Sequence, residues 1–347
     1  MNANEYTIRL EKIEDALQQN LLESQSNNEK TFSLGVLPKG VSLKHREELT
    51  KPCQNLMELG GKRWRPLLLV LCAEMINSNE KTQEKAIGLT PLVEFVHTAS
   101  LIHDDIEDAA DTRRGKPATH IVYGVDTAIN AATWLYFQAF LPIAQTEIDI
   151  REELYFLLSQ EIRRLHLGQA MDISWHKNNR TIPSIEEYEA MIRLKTGTLA
   201  SLAAQIGILV GGGSLEDARI VGEIAADIGV SFQILDDYIN LTTGNKGKKR
   251  GDDIVEGKKS LPILLHLEKH PEDISFFMEK FDQARKEGIN SSAIEEAIQR
   301  LTVDDALVRA KKISEEKMNN ACNKLCELYP NNDKAKLICQ LFLDLQK

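Results

Sequence analysis

A chain of 347 residues with 42% hydrophobic and 27% charged side chains has the balance of a folded globular protein. Its formal charge of -10 excludes the broad basic face that a nucleic acid requires, while leaving room for a local basic site that takes a small anion. The longest apolar runs, such as PLLLVLCAEM, are too short to cross a bilayer.

Along the chain the pattern is helical almost throughout. EYTIRLEKIEDALQQNLLES places Ile8, Leu10, Ile13, Leu17 and Leu21 at helical spacing with charge between them. The opening residues lack a basic segment leading into an apolar one, as a secretory signal would have. SQSNNEKTFSLGVLPKG is a polar break. SIEEYEAMIRLKTGTLASLAAQIGILVGGG opens on Ser184 with Glu187 three positions on, a capping box, and stops at a glycine run. Small residues in ASLAAQIG and AINAATW let helices approach closely. Alternating β-branched strands and hairpin dipeptides are absent. Cysteines 53, 72, 322, 326 and 339 form no CxxC pair and read as buried or neutral thiols of a reducing compartment, which points to the cytoplasm. The expectation is an all-α protein with residues 1–347 in one domain, the N-terminal helix and loop of 1–40 standing somewhat apart.

Within LIHDDIED, Asp104, Asp105 and Asp108 form D-D-x-x-D. On a helix Asp104 and Asp108 share a face one turn apart, suited to a hard divalent cation such as Mg2+. A solvated acidic face is the plain alternative, but the apolar FVHTASLI before the motif argues against it. FQILDDYIN repeats the pattern with Asp236, Asp237 and Asn240. Three basic clusters accompany the acids: Lys62, Arg63 and Arg65 in GGKRWRP, Arg113 and Arg114 in TRRGKP, and Lys248, Lys249, Arg250 and Lys258 in GKKRGDDIVEGKKS. Metal-holding carboxylates interleaved with arginine and lysine suit two diphosphate sites, one using metal and one not.

From about residue 56 onward the chain resembles the trans-isoprenyl diphosphate synthases, or polyprenyl synthetases, on GGKRWRP, HTASLIHDDIED, RRGKPATH, GQAMD, KTG, FQILDDYIN and GDDIVEGKKS. Within that family it looks most like eukaryotic-type geranylgeranyl diphosphate synthases. The resemblance implies a helical bundle of the isoprenoid synthase type around a central active-site cavity, and a homodimer. It implies condensation of isopentenyl diphosphate head-to-tail with a C5–C15 allylic diphosphate, with three Mg2+ ions. Asp104, Asp105, Asp108 and Asp236 match metal ligands, and Asp237 stands close behind. Lys62, Arg65, His97 and Arg114 match the isopentenyl diphosphate site. Arg113, Lys195 and Lys258, with one of Lys248 and Lys249, match the allylic diphosphate site. Thr196 and Gln233 match polar groups near the developing cation, and Gln169 and Asp172 a supporting pair. Asn240 departs from the aspartate many members have. His103, beside Asp104, reads as structural.

Positions four and five before Asp104 are Ser100 and Ala99, both small, whereas farnesyl-forming relatives often carry an aromatic there. Phe95 and Val96 lie about two turns down, and Trp134 or Phe137 of another helix are further bulky candidates for a floor. This pattern favours a C20 product over C15 or C25–C50. A class I terpene cyclase would have no use for GGKRWRP and carries a different second metal motif. A non-catalytic synthase subunit typically loses aspartates that are intact here. A His-Asp metal phosphohydrolase would leave the second acidic triplet and the basic loops unexplained.

Overall fold

A computed structural model describes residues 3–22, 34–145, 149–177, 181–244 and 249–346. Helices α1 (Ala3–Leu22), α2 (Leu43–Glu58), α3 (Trp64–Ile76), α4 (Glu80–Gly88) and α5 (Pro91–Glu107) come first. A short hairpin follows, β1 (Thr112–Arg113) and β2 (Lys116–Pro117), then α6 (Thr119–Tyr123), α7 (Val125–Gln138), α8 (Leu141–Gln145) and α9 (Arg151–Lys177). Next are α10 (Ile185–Ile192), a π-helical turn (Arg193–Gly197), α11 (Thr198–Gly211), α12 (Leu215–Thr242) and α13 (Asp252–Glu256). The chain continues through α14 (Leu261–Lys269), α15 (Ile274–Glu287), α16 (Ser292–Val303), α17 (Ala306–Leu328) and α18 (Asp333–Leu345). The all-α reading holds.

Two compact units are distinguished. The first comprises Met1–Ile162, Leu199–Glu223 and Tyr329–Ile338. Its centre is α3, on which Leu67 through Ala73 are all buried. The small-residue segments act as expected. A side chain at Gly207 would place its Cβ 2.4 Å from the Leu69 carbonyl oxygen, so only glycine lets α11 lie on α3. Ala128, Ala131 and Ala132 are buried on α7, and the Cys53 thiol of α2 donates to the Ala131 carbonyl at 3.4 Å. On α1, Ile13, Leu17 and Leu21 are buried, whereas Ile8 lies on the exposed face.

The second unit comprises Arg163–Thr198, Ile224–Leu328 and Cys339–Lys347. One cluster packs Ile263, Leu267, Phe277, Phe281, Ile294 and Leu301 together. Another gathers Trp175, Tyr188, Ile192, Ile234, Leu261 and Leu264. The capping box is present: Ser184 Oγ accepts from the Glu187 N–H at 3.1 Å and Glu187 Oε2 from the Ser184 N–H at 2.7 Å. The glycine stop, in the Leu199–Glu223 segment of the first unit, is present too, with Gly212 at φ +92°. The stretch between them is not one uniform helix, because the π-helical turn interrupts it. Ile185–Gly211 is long and apolar enough to cross a membrane, but 72% of its apolar window is buried, the pattern of a core helix. Cys53, Cys72, Cys322 and Cys339 are buried free thiols, as expected, and Cys326 is half-buried. Burial pushes the Cys72 thiol up to about 12.

In the first unit the buried Glu74 carboxylate joins several helices. Arg9 of α1 donates to both of its oxygens, at 2.9 and 2.8 Å, Gln83 of α4 donates at 2.7 Å, and Lys334 of α18 lies at 2.5 Å. Burial works against the charge, yet these partners hold the group down at about 2. The folded value lies below the ordinary 4.5, so this stability is present above that pH and is lost as pH falls through about 2. Glu74→Gln leaves two cations without their partner and is expected to cost about 3–5 kcal/mol in denaturant titration. Its stability should also lose the wild type's decline across that acid window.

Candidate active site

Helix α5 runs unbroken through HTASLIHDDIE, and Asp108 caps its C-terminus, its N–H reaching the Asp104 carbonyl at 2.8 Å. Backbone carbonyls make this the negative end of the helix dipole, and no basic residue occupies the last turn. Asp104, Asp105, Glu107 and Asp108 therefore collect where only a cation relieves them. In this structure that cation is Arg113. Its Nε donates to Asp105 Oδ1 at 2.7 Å, and its Nη2 reaches the same oxygen and Asp104 Oδ2 at 3.4 Å. Asp105 is fully buried, while Asp104 and Asp108 are partly exposed.

The hairpin that delivers Arg113 was not legible in the sequence. Its two-residue turn is Arg114–Gly115, with φ of 54° and 75°. Left-handed backbone at both positions is what a tight hairpin demands, and arginine is an unfavoured residue there. The turn sends Arg113 to the acids and Arg114 to the GGKRWRP loop. A Cβ on Gly61 would lie 3.1 Å from Arg114 Nη2, so the glycine admits the guanidinium.

The basic loop itself divides its labour. Arg63, grouped with Lys62 and Arg65 by the sequence, is buried at φ 45°, with Nη1 on Glu94 at 2.6 Å, Nε on Glu14 at 2.6 Å and Nη2 on the Met57 carbonyl at 2.7 Å. It fixes the loop and is not a ligand group. Arg65 stacks 4.2 Å over the Trp64 ring, and its Nη1 lies 3.5 Å from His97 Nε2. Burial, together with Arg114, lowers Arg65 to about 10. Burial and then Arg65 and Arg114 push His97 well below its ordinary value, keeping it neutral. Arg65 and Arg114, with neutral His97 beside them, thus form a cluster of destabilised positive charge, the condition an anion reverses. Lys62 is exposed at the loop surface.

In the second unit the D-D-x-x-N motif splits similarly. Asp236 is exposed on α12, whereas Asp237 and Asn240 are buried. Asp237 accepts from Tyr188 Oη at 2.5 Å, Gln233 Nε2 at 3.1 Å and the Leu261 N–H at 3.3 Å. Burial raises it to about 6 despite those donors. Asn240 Oδ1 accepts from the Asp253 N–H at 3.3 Å. The amide therefore organises the loop into α13. In both motifs the second aspartate is buried and held by the protein.

The π-helical turn carries KTG. Wide turns of this kind displace side chains from the regular helical face. Gly168 of α9 and Gly229 of α12 sit so close to the turn that added Cβ atoms would meet Lys195 N at 2.5 Å and Gly197 Cα at 2.8 Å. Lys195 Nζ donates to Asp172 Oδ2 at 2.6 Å, and Thr196 Oγ1 to Gln233 Oε1 at 2.8 Å. Asp172 is buried, which opposes its charge, but Lys195, His176 and Lys258 hold it far below the carboxylate range. Lys195 thus bonds this carboxylate directly, while Lys258 acts on it through charge and pairs with Glu256. Thr196, Gln233, Asp237 and Tyr188 form one hydrogen-bonded chain. Tyr188 was missed by the sequence reading, and nothing in YEAMIRLKTG marks a core tyrosine as an anchor.

Other sequence candidates separate. Lys249 is exposed, with its N–H on Asp252 Oδ2 at 2.7 Å, while Lys248 lies outside the described residues. Lys259 is buried against the Trp175 and Gly257 carbonyls, both at 2.8 Å, and is structural. On α5, Ala99, Phe95 and Val96 are fully buried and Ser100 is half-buried, its Oγ donating to the His97 carbonyl at 2.8 Å. Trp134 is half-buried on α7, which packs on α5. Phe137 is 70% exposed and is no floor within this chain. His103 packs 5.7 Å from Tyr136, in keeping with a structural role.

The polyprenyl synthetase family model matches residues 46–300. A geranylgeranyl diphosphate synthase of Methanosarcina mazei is 38% identical over 227 residues, 64% of this chain and 68% of that one. Another from Sulfolobus acidocaldarius is 32% identical over 295 residues, 82% of this chain and 86% of its own. Chloroplastic geranylgeranyl pyrophosphate synthase 3 of Arabidopsis thaliana is 35% identical over 245 residues, covering 67% of each. Among solved structures, geranylgeranyl pyrophosphate synthetase from Pyrococcus horikoshii superposes with a TM-score of 0.80 at 28% identity, covering 99% of this chain and 98% of that chain. The fold is the all-α isoprenoid synthase fold, and the chain belongs to the polyprenyl synthetase family of trans-prenyltransferases.

Proposed function

We propose that the chain condenses isopentenyl diphosphate with allylic diphosphates to make geranylgeranyl diphosphate, a C20 product. The observation that carries the chain length is the small Ala99–Ser100 pair one turn below Asp104 on unbroken α5, with buried Phe95 and Val96 a turn further on. The several relatives named as geranylgeranyl diphosphate synthases support it. Asp104, Asp108 and Asp236 are the Mg2+ ligands of this proposal, with Asp105 beside them. Carboxylate oxygens gathered at a helix C-terminus are the hard donor set Mg2+ prefers. When bound, Mg2+ supplies Lewis-acid stabilisation of the departing diphosphate.

The protein's own groups do the remaining work. Lys195 and Lys258, with Arg113 released from Asp105, bind the allylic diphosphate, with a further lysine from Lys248 and Lys249. Arg65, Arg114, His97 and Lys62 hold isopentenyl diphosphate. Thr196 and Gln233 turn their oxygens toward the developing carbocation, and the Asp237–Tyr188 contact fixes the Gln233 amide. Orientation of two bound substrates provides much of the acceleration. Both compact units serve as one catalytic domain in this reading, in the cytoplasm. The exposed apolar series Val122, Val125, Ile129 and Phe137 on α6 and α7 supports a homodimer.

Asp236→Asn is expected to lower kcat about 100- to 1,000-fold at saturating Mg2+, read by labelled isopentenyl diphosphate incorporation. Wild-type turnover in that variant would remove Asp236 from the metal set. Ala99→Phe should move the main product from C20 to C15 or shorter by chain-length analysis, and an unchanged product would refute the chain-length assignment. Tyr188→Phe removes one donor from buried Asp237 and should cost about 1–3 kcal/mol of stability. Its kcat should fall with little change in KM for either substrate.

A further inference from the structure

Outside these sites, the second unit places His266 and His270 one turn apart at the C-terminal end of α14, opposite Asp304 at the elbow between α16 and α17. Donor atoms of the three side chains lie within 4.8 Å of one another. His266 Nδ1 is 3.3 Å from Asp304 Oδ2, and His270 Nε2 is 3.3 Å from Asp304 Oδ1. Bonds of about 2.0–2.1 Å around a tetrahedral ion put neighbouring donors roughly 3.3–3.4 Å apart.

The histidine that faces inward supplies the second observation. His266 is only 2% exposed, and its Nε2 lies 2.8 Å from Asp273 Oδ2, where an N–H donates. That bond commits Nε2 to Asp273 and leaves Nδ1 facing Asp304. Nδ1 is buried, makes no hydrogen bond, and confronts a carboxylate oxygen. An imidazole nitrogen and a carboxylate oxygen at that separation call for a positive species between them, a proton or a metal ion. A carboxylate fixing one imidazole nitrogen so that the other binds metal is a recurrent arrangement around protein-bound zinc.

We propose that His266, His270 and Asp304 bind a single Zn2+ ion, with water completing the half-exposed side beside His270. Other charges bear on the choice of metal. Arg309 Nη2 lies 2.9 Å and Lys269 Nζ 3.6 Å from Asp304, Arg300 Nη1 lies 3.1 Å from Asp273, and Glu272 Oε1 lies 3.3 Å from His270 Nδ1. The cations on these carboxylates weaken binding of a hard ion held by charge alone. They select for a metal with strong affinity for neutral imidazole, which Mg2+ lacks and Zn2+ has. The ion would join the end of α14 to the α16–α17 elbow. At its other end α14 presents the Leu261 N–H to Asp237, so the role is a structural one behind the second acidic motif.

The test uses the full chain, stripped with chelator and dialysed against Zn2+ in the presence of excess Mg2+, so that the oxygen sites are filled. One Zn2+ per wild-type chain is expected by metal analysis, with a raised melting temperature. Co2+ in its place should give the visible absorption of tetrahedral coordination. His270→Ala should lose the ion, the Tm increment and the Co2+ spectrum while keeping its prenyl transfer rate without Zn2+. His270→Gln, which retains a polar side chain at a half-exposed position, should behave alike. Zn2+ stoichiometry equal in wild type and both variants, or no Zn2+ held by the wild type, would overturn the proposal.

Discussion

Negative charge held at the C-terminal end of α5 in one unit, and of α12 in the other, is the constraint on which each unit's candidate site depends. Helix dipole and like-charge repulsion both act against Asp104, Asp105 and Asp108. Arg113 answers them from a short hairpin beside a strained turn rather than from a helix.

The two acidic motifs share a division of roles that their spacing conceals. The second aspartate of each is buried and bonded to protein donors, Arg113 on one oxygen of Asp105, and Tyr188, Gln233 and Leu261 on Asp237. Burying a carboxylate costs free energy unless several donors meet it. Here the donors are themselves the groups that must be oriented. Asp237 thus aligns the Gln233 amide, and Gln233 aligns Thr196 on the π-helical turn.

The basic clusters show the same sorting. Arg63 and Lys259 are consumed by the fold, one on Glu94 and Glu14, the other on backbone carbonyls. Arg65, Arg114 and His97 are left in a field that depresses their protonation. Neighbouring residues of one type in GGKRWRP and in GKKS are therefore set apart by the fold, according to which way each backbone position faces.

Helical periodicity, the capping box at Ser184 and the small residues of ASLAAQIG determined the all-α fold, because those signals act over one or two turns and need no distant partner. The motifs likewise determined which residue types are gathered in each cluster. The tertiary structure alone decided which member of each cluster is spent on the fold and which is left facing outward. It separated Asp236 from Asp237, turned Asn240 to the Asp253 N–H, and raised a hairpin from TRRGKP where no β pattern exists. Those outcomes depend on burial and on partners tens of residues away, such as Tyr188 for Asp237, and a local pattern carries neither.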